Sequence, residues 1–132
     1  MKKIFTLLAL TIAFTVSAQT NTNFGTESLN SNTTGVNNSA FGYQSLKFNT
    51  TGSDNTASGY DALGKNTEGS KNTASGYESL ANNTTGNYNT ASGYFSLRSN
   101  ITGGNNTAFG YNAMASTDNA TNQTIIGYEA TG

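Results

Sequence analysis

Carboxylates are the only candidates for acid–base catalysis in this sequence. The chain contains no histidine and no cysteine, so a Ser–His or Cys–His nucleophile and the usual zinc ligand sets cannot be assembled. Asp61 and Glu78 occupy the same column of a repeat. Stacked one coil apart, they would approach the spacing of the two acids of a retaining glycosidase, or could bridge a calcium ion. The same column reads Glu27, Gln44, Phe95, Asn112 and Glu129 elsewhere, and a position that variable reads as solvent-facing. The Gly- and Asp-rich nonapeptide of calcium-binding β-rolls is also missing. We therefore assign no catalytic, cofactor-binding or metal-ligating residue, and expect a non-enzymatic protein.

Two other columns offer recognition chemistry. Thr22, Ser39, Thr56, Thr73, Thr90, Thr107 and Thr124 would form a straight file of hydroxyls with methyls, which can order water as ice-binding solenoids do. The usual paired Thr-x-Thr rank is absent, and Thr56-Ala57-Ser58, Thr73-Ala74-Ser75 and Thr90-Ala91-Ser92 come nearest. Tyr43, Tyr60, Tyr77, Tyr94, Tyr111 and Tyr128 form a second file. They could stack on sugar rings, but in a chain so short of apolar residues we expect them to pack inward beside the leucines. The glycine turns contain no phosphate-binding Gly-x-x-x-x-Gly-Lys-Ser run. Asn-x-Thr triplets match glycosylation acceptors but read better as turn ladders.

The elements that position these columns follow from the repeat. A 17-residue unit recurs about six and a half times, beginning near Asn21, Asn38, Asn55, Asn72, Asn89 and Asn106, with Gln123 opening a partial seventh. Gly25, Gly42, Gly59, Gly76, Gly93, Gly110 and Gly127 fall in line four residues on, and Leu29, Leu46, Leu63, Leu80, Leu97 and Met114 line up after the tyrosines. The units close on Asn-Thr-Thr-Gly or a near variant, such as Asn49-Thr50-Thr51-Gly52, until Thr117-Asp118-Asn119-Ala120 departs in the sixth. A fixed short period with invariant turn positions marks a stacked array of coils.

Ordering 17 residues costs on the order of 17 to 34 kcal/mol of backbone entropy, while burying one Leu and most of one Tyr returns only ~2 to 3 kcal/mol each. Hydrogen bonds between coils and columns of like residues must supply the rest. The expected fold is mainly β: a parallel β-solenoid or β-roll with one short strand per 17-residue coil, at segments such as Asn55–Gly59. Tyr60-Asp61-Ala62-Leu63 and its copies favour a single helical turn, with a second strand as the alternative.

The run Asn-Thr-Ala-x-Gly-Tyr-x-x-Leu-x-x-Asn-Thr-Thr-Gly resembles the head repeats of trimeric autotransporter adhesins, and is similar to repeats in secreted bacterial proteins and phage tail fibres. The resemblance spans roughly Asn21 to Gly132. It implies a β-roll that trimerises and displays surfaces for host, matrix or glycan ligands. The unit here is longer than the usual adhesin repeat, and the coiled-coil stalk and membrane anchor of that family are not found.

Residues 1–18 read as a secretory signal peptide: Lys2 and Lys3, an apolar run from Ile4 to Val16, and Val16-Ser17-Ala18 as a small-residue cleavage site. No cysteine follows to carry a lipid, and no second apolar stretch is long enough to span a bilayer. The repeat region, 19–132, keeps Lys47, Lys65, Lys71 and Arg98 against seven carboxylates. That mild acidity argues against nucleic acid and anionic membranes as partners. The expectation is an exported structural or adhesion-type repeat protein, secreted or on a cell surface and homotrimeric, with ice binding through the Thr column as the alternative. The repeats stop partway through a unit, so we expect either a piece of a longer polypeptide or a released or non-covalently held protein, and in either case a last coil, near Phe109, Ile125 and Ile126, that is the stickiest.

Overall fold

The computed structural model describes residues 20–132, and the expected signal segment 1–18 lies outside the described residues. Among the described residues seven strands of three residues each follow one another: β1 (Thr22–Phe24), β2 (Ser39–Phe41), β3 (Thr56–Ser58), β4 (Thr73–Ser75), β5 (Thr90–Ser92), β6 (Thr107–Phe109) and β7 (Thr124–Ile126). They form one parallel sheet in sequence order. Every pairing advances by one repeat, from Thr22 opposite Ser39 to Thr107 opposite Thr124. The protein is thus a parallel β-solenoid with a 17-residue coil and one strand per coil. Among the described residues no helix is long and apolar enough to cross a membrane.

Each strand is short because its inner position must be small. Side chains alternate across a strand, so the middle residue points inward: Ala40, Ala57, Ala74, Ala91 and Ala108 are buried, as is Ile125 in β7. Opposite them runs the leucine column, and the two files with Ala62 and Ala113 make a narrow core.

The Tyr-to-Leu segment forms neither a helix nor a second strand. It is a run of three overlapping hydrogen-bonded turns, Ser45 N–H donating to Gly42 O at 3.4 Å, Lys47 N–H to Gln44 O at 3.2 Å and Asn49 N–H to Leu46 O at 3.1 Å. Gln44 and Leu46 sit at φ 58° and 51°, and the same two columns are left-handed in the other coils, Met114 and Thr131 excepted. Alternating left-handed residues cannot continue a right-handed helix. The conformation is held from outside: Gln44 N–H reaches Thr26 O and Leu46 N–H reaches Ala62 O, both at 3.0 Å, in the coils on either side.

Polar ladders fill the rest of the interior. In the Asn-Thr-Thr-Gly column, Asn66 Nδ2 donates to Asn49 Oδ1 at 2.7 Å and to Gly69 O at 2.8 Å. The unit-opening asparagines use the backbone instead: Asn72 N–H donates to Asn55 Oδ1 at 2.9 Å, and Asn55 Nδ2 closes on Gly69 O at 2.8 Å. Both files therefore converge on one glycine carbonyl per coil. A Cβ on Gly69 would lie 2.3 Å from Asn66 Oδ1 and 2.5 Å from Gly86 O, which is why this column admits Ala120 only in the sixth unit, where Thr117 replaces the asparagine. The threonine carbonyl is used several times over. Thr50 O accepts from the N–H groups of Thr33, Thr34 and Gly35 and from Thr33 Oγ1, between 2.8 and 3.3 Å. Among the described residues no buried side-chain polar atom lacks a partner. Asn49, Asn83 and Asn100 are buried, so the glycosylation-like triplets they open are structural.

Candidate functional site

With the interior committed to ladders, what the protein presents to other molecules lies in its outer files. The tyrosines belong there, contrary to the inward packing expected from sequence. Tyr43, Tyr60, Tyr77, Tyr94 and Tyr111 are 38–44% exposed and Tyr128 is 74% exposed. The preceding glycine explains the direction. Gly59 and Gly76 have φ of 141° and 130°, turning the chain so that the tyrosine leaves the wall while the serine or alanine two residues on and the leucine after it turn in. The rings recover apolar contact by stacking on one another. Tyr60 and Tyr77 are 5.0 Å apart at 8°, Tyr77 and Tyr94 4.9 Å at 9°, and Tyr111 and Tyr128 5.0 Å at 11°. Parallel rings touch at about 3.5 Å, so a 5 Å separation means offset, shingled rings. Much of each face is covered by its neighbour, which weakens the file as a platform for sugars.

The outward residues of the strands form two further files. Thr56, Thr73 and Thr90 stand in one; Phe24, Phe41, Ser58, Ser75, Ser92, Phe109 and Ile126 stand in the other. Phe24 and Phe41 stack at 5.7 Å and 10°, and Phe109 and Ile126 are exposed at the other end. Between them three serines interrupt the apolar rank. Among the described residues the hydroxyls of Thr56, Ser58, Thr73, Ser75, Thr90 and Ser92 have no hydrogen-bond partner, unlike Ser45 and Ser79, whose Oγ atoms donate to Gly42 O and Gly76 O. The result is an uncharged double file of hydroxyls with Phe41 and Phe109 in the same column at its two ends. The sequence carries this interruption openly, but only once it is known which residues of the strand face outward.

The two acids singled out from sequence come to neighbouring coils but into different surroundings. Glu78 is mostly covered rather than solvent-facing, its side chain 16% exposed, because Arg98 Nε binds Glu78 Oε2 at 2.5 Å. The Arg98 guanidinium also lies over the Phe95 ring at 4.6 Å. Asp61 has no ion-pair partner among the described residues. Burial, and secondarily the charge of Glu78, push its carboxyl above the ordinary carboxylate range. The arrangement at Glu78 recurs at Glu27, whose carboxylate accepts from Lys47 Nζ and Gln44 Nε2, both at 2.7 Å. Those bonds hold Glu27 below its usual value and Lys47 above its own. In both pairs the cation lies one coil and three residues further along, so the acids serve as ties between coils.

No family model, no curated protein and no solved structure matches the chain.

Proposed function

We propose that the protein is an exported, non-catalytic structural or adhesion-type repeat protein that acts outside the cell, secreted or at the cell surface, as a homotrimer. The observation that carries this reading is the division of labour among its side chains. Polar groups inside the coil are consumed by coil-to-coil ladders, while uncharged hydroxyl and aromatic files are set outward in register over the length of the stack. Such a surface suits repetitive contact with a host, matrix or glycan surface or with further copies of the chain. The signal-like N-terminus and the resemblance to adhesin head repeats support export and trimerisation. Light scattering with sedimentation tests the assembly. A trimer is expected, and a protein that stays monomeric at high concentration and still melts cooperatively would overturn it. Fractionation of cells and medium tests the location, and a chain retained in the cytoplasm with residues 1–18 intact would refute export.

Ice binding is the second reading, favoured by the outward, in-register threonine file. Thermal hysteresis in the purified protein would support it.

A further inference from the structure

We infer that the file of Tyr43, Tyr60, Tyr77, Tyr94, Tyr111 and Tyr128 is an oxidative modification site. There a one-electron oxidant of the haem-peroxidase type, driven by hydrogen peroxide, couples neighbouring rings into dityrosine and staples one coil to the next. The inference goes beyond the adhesion reading and does not rest on it.

Three observations carry it. First, the fold holds the rings as neighbours. Consecutive members of the file are 4.9 to 5.4 Å apart, centroid to centroid, and inclined by 8° to 23°. Because the stack is in register, nearly one translation carries each ring onto the next. The ortho carbons of Tyr60 therefore lie about as far from those of Tyr77 as the centroids do, 5.0 Å. Two phenols fixed at that separation react at an effective concentration that no free pair reaches in solution. Every ring in the file is at least 38% exposed, so an oxidant has access to it. Solvent on the outer side also leaves room for the rings to swing about their side-chain torsions as the bond forms.

Second, the sequence leaves a radical nowhere else to settle. There is no Trp and no Cys, the side chains that give up an electron as readily as a phenol. Met114 takes up oxygen to become a sulfoxide and forms no cross-link. Rings in contact exchange electrons with one another faster than they meet a second molecule, so two radicals formed anywhere on the file meet on neighbouring rings. The missing cysteines also mean that no disulfide joins the coils.

Third, the protons have acceptors. The Tyr77 hydroxyl is hydrogen-bonded to Glu78, which holds the phenol proton more firmly than usual in the resting state. An oxidised phenol is a strong acid, and Glu78, fixed by Arg98 Nε at 2.5 Å, is in place to receive what it releases. The exposed hydroxyls of the other members release theirs to water. Two phenols thus each lose an electron and a hydroxyl proton, an ortho carbon–carbon bond joins the two phenoxyl radicals, and the two ring hydrogens at that bond are lost as the oxygens regain theirs. The two electrons and two protons reduce one hydrogen peroxide to two water molecules. A link between neighbours closes a loop one repeat long and restrains the unfolded chain as a disulfide would.

Tyr88 is the internal control. It is 56% exposed, more than Tyr60, Tyr77 or Tyr94, yet its ring joins no stack among the described residues and its hydroxyl accepts from Lys71 Nζ at 3.2 Å. The full chain is treated with a haem peroxidase and hydrogen peroxide, and dityrosine fluorescence is recorded. The band of monomer mass from a denaturing gel is then digested with trypsin, and its cross-linked peptides are sequenced by mass spectrometry. Cleavage after Lys47, Lys65, Lys71 and Arg98 makes the Tyr43–Tyr60, Tyr60–Tyr77 and Tyr94–Tyr111 links each join two peptides. These three links should dominate, with links through Tyr88 at least tenfold rarer. Tyr77→Phe keeps a ring that can stack, and circular dichroism verifies its fold. It should abolish the Tyr60–Tyr77 link and leave the Tyr43–Tyr60 link in place. Links through Tyr88 as abundant as those of the file would overturn the inference, because coupling would then follow exposure alone. A monomer band without dityrosine would overturn it too, as would an undiminished link between peptides 48–65 and 72–98 in Y77F. The ratio in the wild-type chain decides by itself if Y77F does not fold.

Discussion

Replacing Gly76 by alanine should destabilise the protein far more than the same change at Gly127, although both glycines have nearly the same backbone. Gly76 has φ 130° and Gly127 φ 138°, a conformation in which an L-residue costs about 1 to 3 kcal/mol. The surroundings differ. A Cβ on Gly76 would lie 2.4 Å from Gly93 O and 2.7 Å from Gly93 C, whereas on Gly127 it would meet only Ala130 Cβ at 3.5 Å. Ordinary contact begins at about 3.5 Å, so the coil above Gly76 would have to retreat by roughly 1 Å. That strains the bonds Gly76 N–H to Ser58 O and Gly93 N–H to Ser75 O, each 2.8 Å, and overpacking of this kind costs about 1 to 3 kcal/mol. We expect Gly76→Ala to lose about 2 to 6 kcal/mol and Gly127→Ala about 1 to 3 kcal/mol. Urea denaturation followed by circular dichroism measures both in the 132-residue chain. Equal losses would show that backbone conformation alone accounts for the glycine at this recurring turn and that the close approach of coils does not.

Further expectations concern the ladders and the acids. Asn66→Ala removes three buried side-chain bonds, to Asn49, Gly69 and Asn83, and should cost about 2 to 4 kcal/mol in the same urea assay. Glu78→Gln breaks an ion pair whose arginine is half exposed, so the loss should stay under about 1 kcal/mol and shrink as salt is added. For Asp61 the folded-state affinity for a proton is raised by burial and by Glu78, so its charged form opposes folding. That opposition is absent at pH below the ordinary aspartate range, sets in as pH rises from there, and is complete above the raised value. Asp61→Asn should therefore leave stability unchanged at low pH and increase it at neutral pH. A pH series of thermal melts that ran the other way would contradict the burial assigned to that carboxylate.

The register of the stack was legible because Asn, Gly and Leu recur without insertion, and each recurrence has a physical cause that acts at one position only. Asn66 has to reach both Asn49 and Gly69, and Leu63 has to fill the space opposite Ala57. The direction of the tyrosines was not legible, because a strictly periodic aromatic file looks the same in sequence whether it fills a core or shingles on a surface. What decides it is the backbone at the preceding glycine, which no composition records. The turn after it was misread for a related reason. Ala and Leu favour a helix locally, yet Leu63 is held at φ 52° by a bond to Ser79 O at 3.0 Å in the next coil, and that non-local bond outweighs propensity. Glu78 looked solvent-facing because its partner Arg98 lies 20 residues away, a spacing that has meaning only once the coil height is known. The serine interruption between Phe41 and Phe109 was written in the sequence throughout, but alternation assigns it to the outer surface only after Ala74 and its copies are placed inside.

The left-handed residues have a consequence for how such an array comes into being. In the second coil Gln44, Leu46 and Asp54 all have positive φ, and at about 1 to 2 kcal/mol each a coil carries several kcal/mol of strain before any neighbour arrives to hold it. Growth should therefore resemble crystallisation: the first contact between two coils is uphill, and each coil added to an existing stack is downhill because it brings a full set of ladder bonds for the same local strain. A chain of one or two units should stay unfolded, with order appearing abruptly at some critical number of coils. Beyond that number, each inserted copy of a central unit such as 72–88 should raise the melting temperature by a diminishing step. Slowest hydrogen exchange should be found in β3, β4 and β5, so the coils that frame Ser75 are also the last to open.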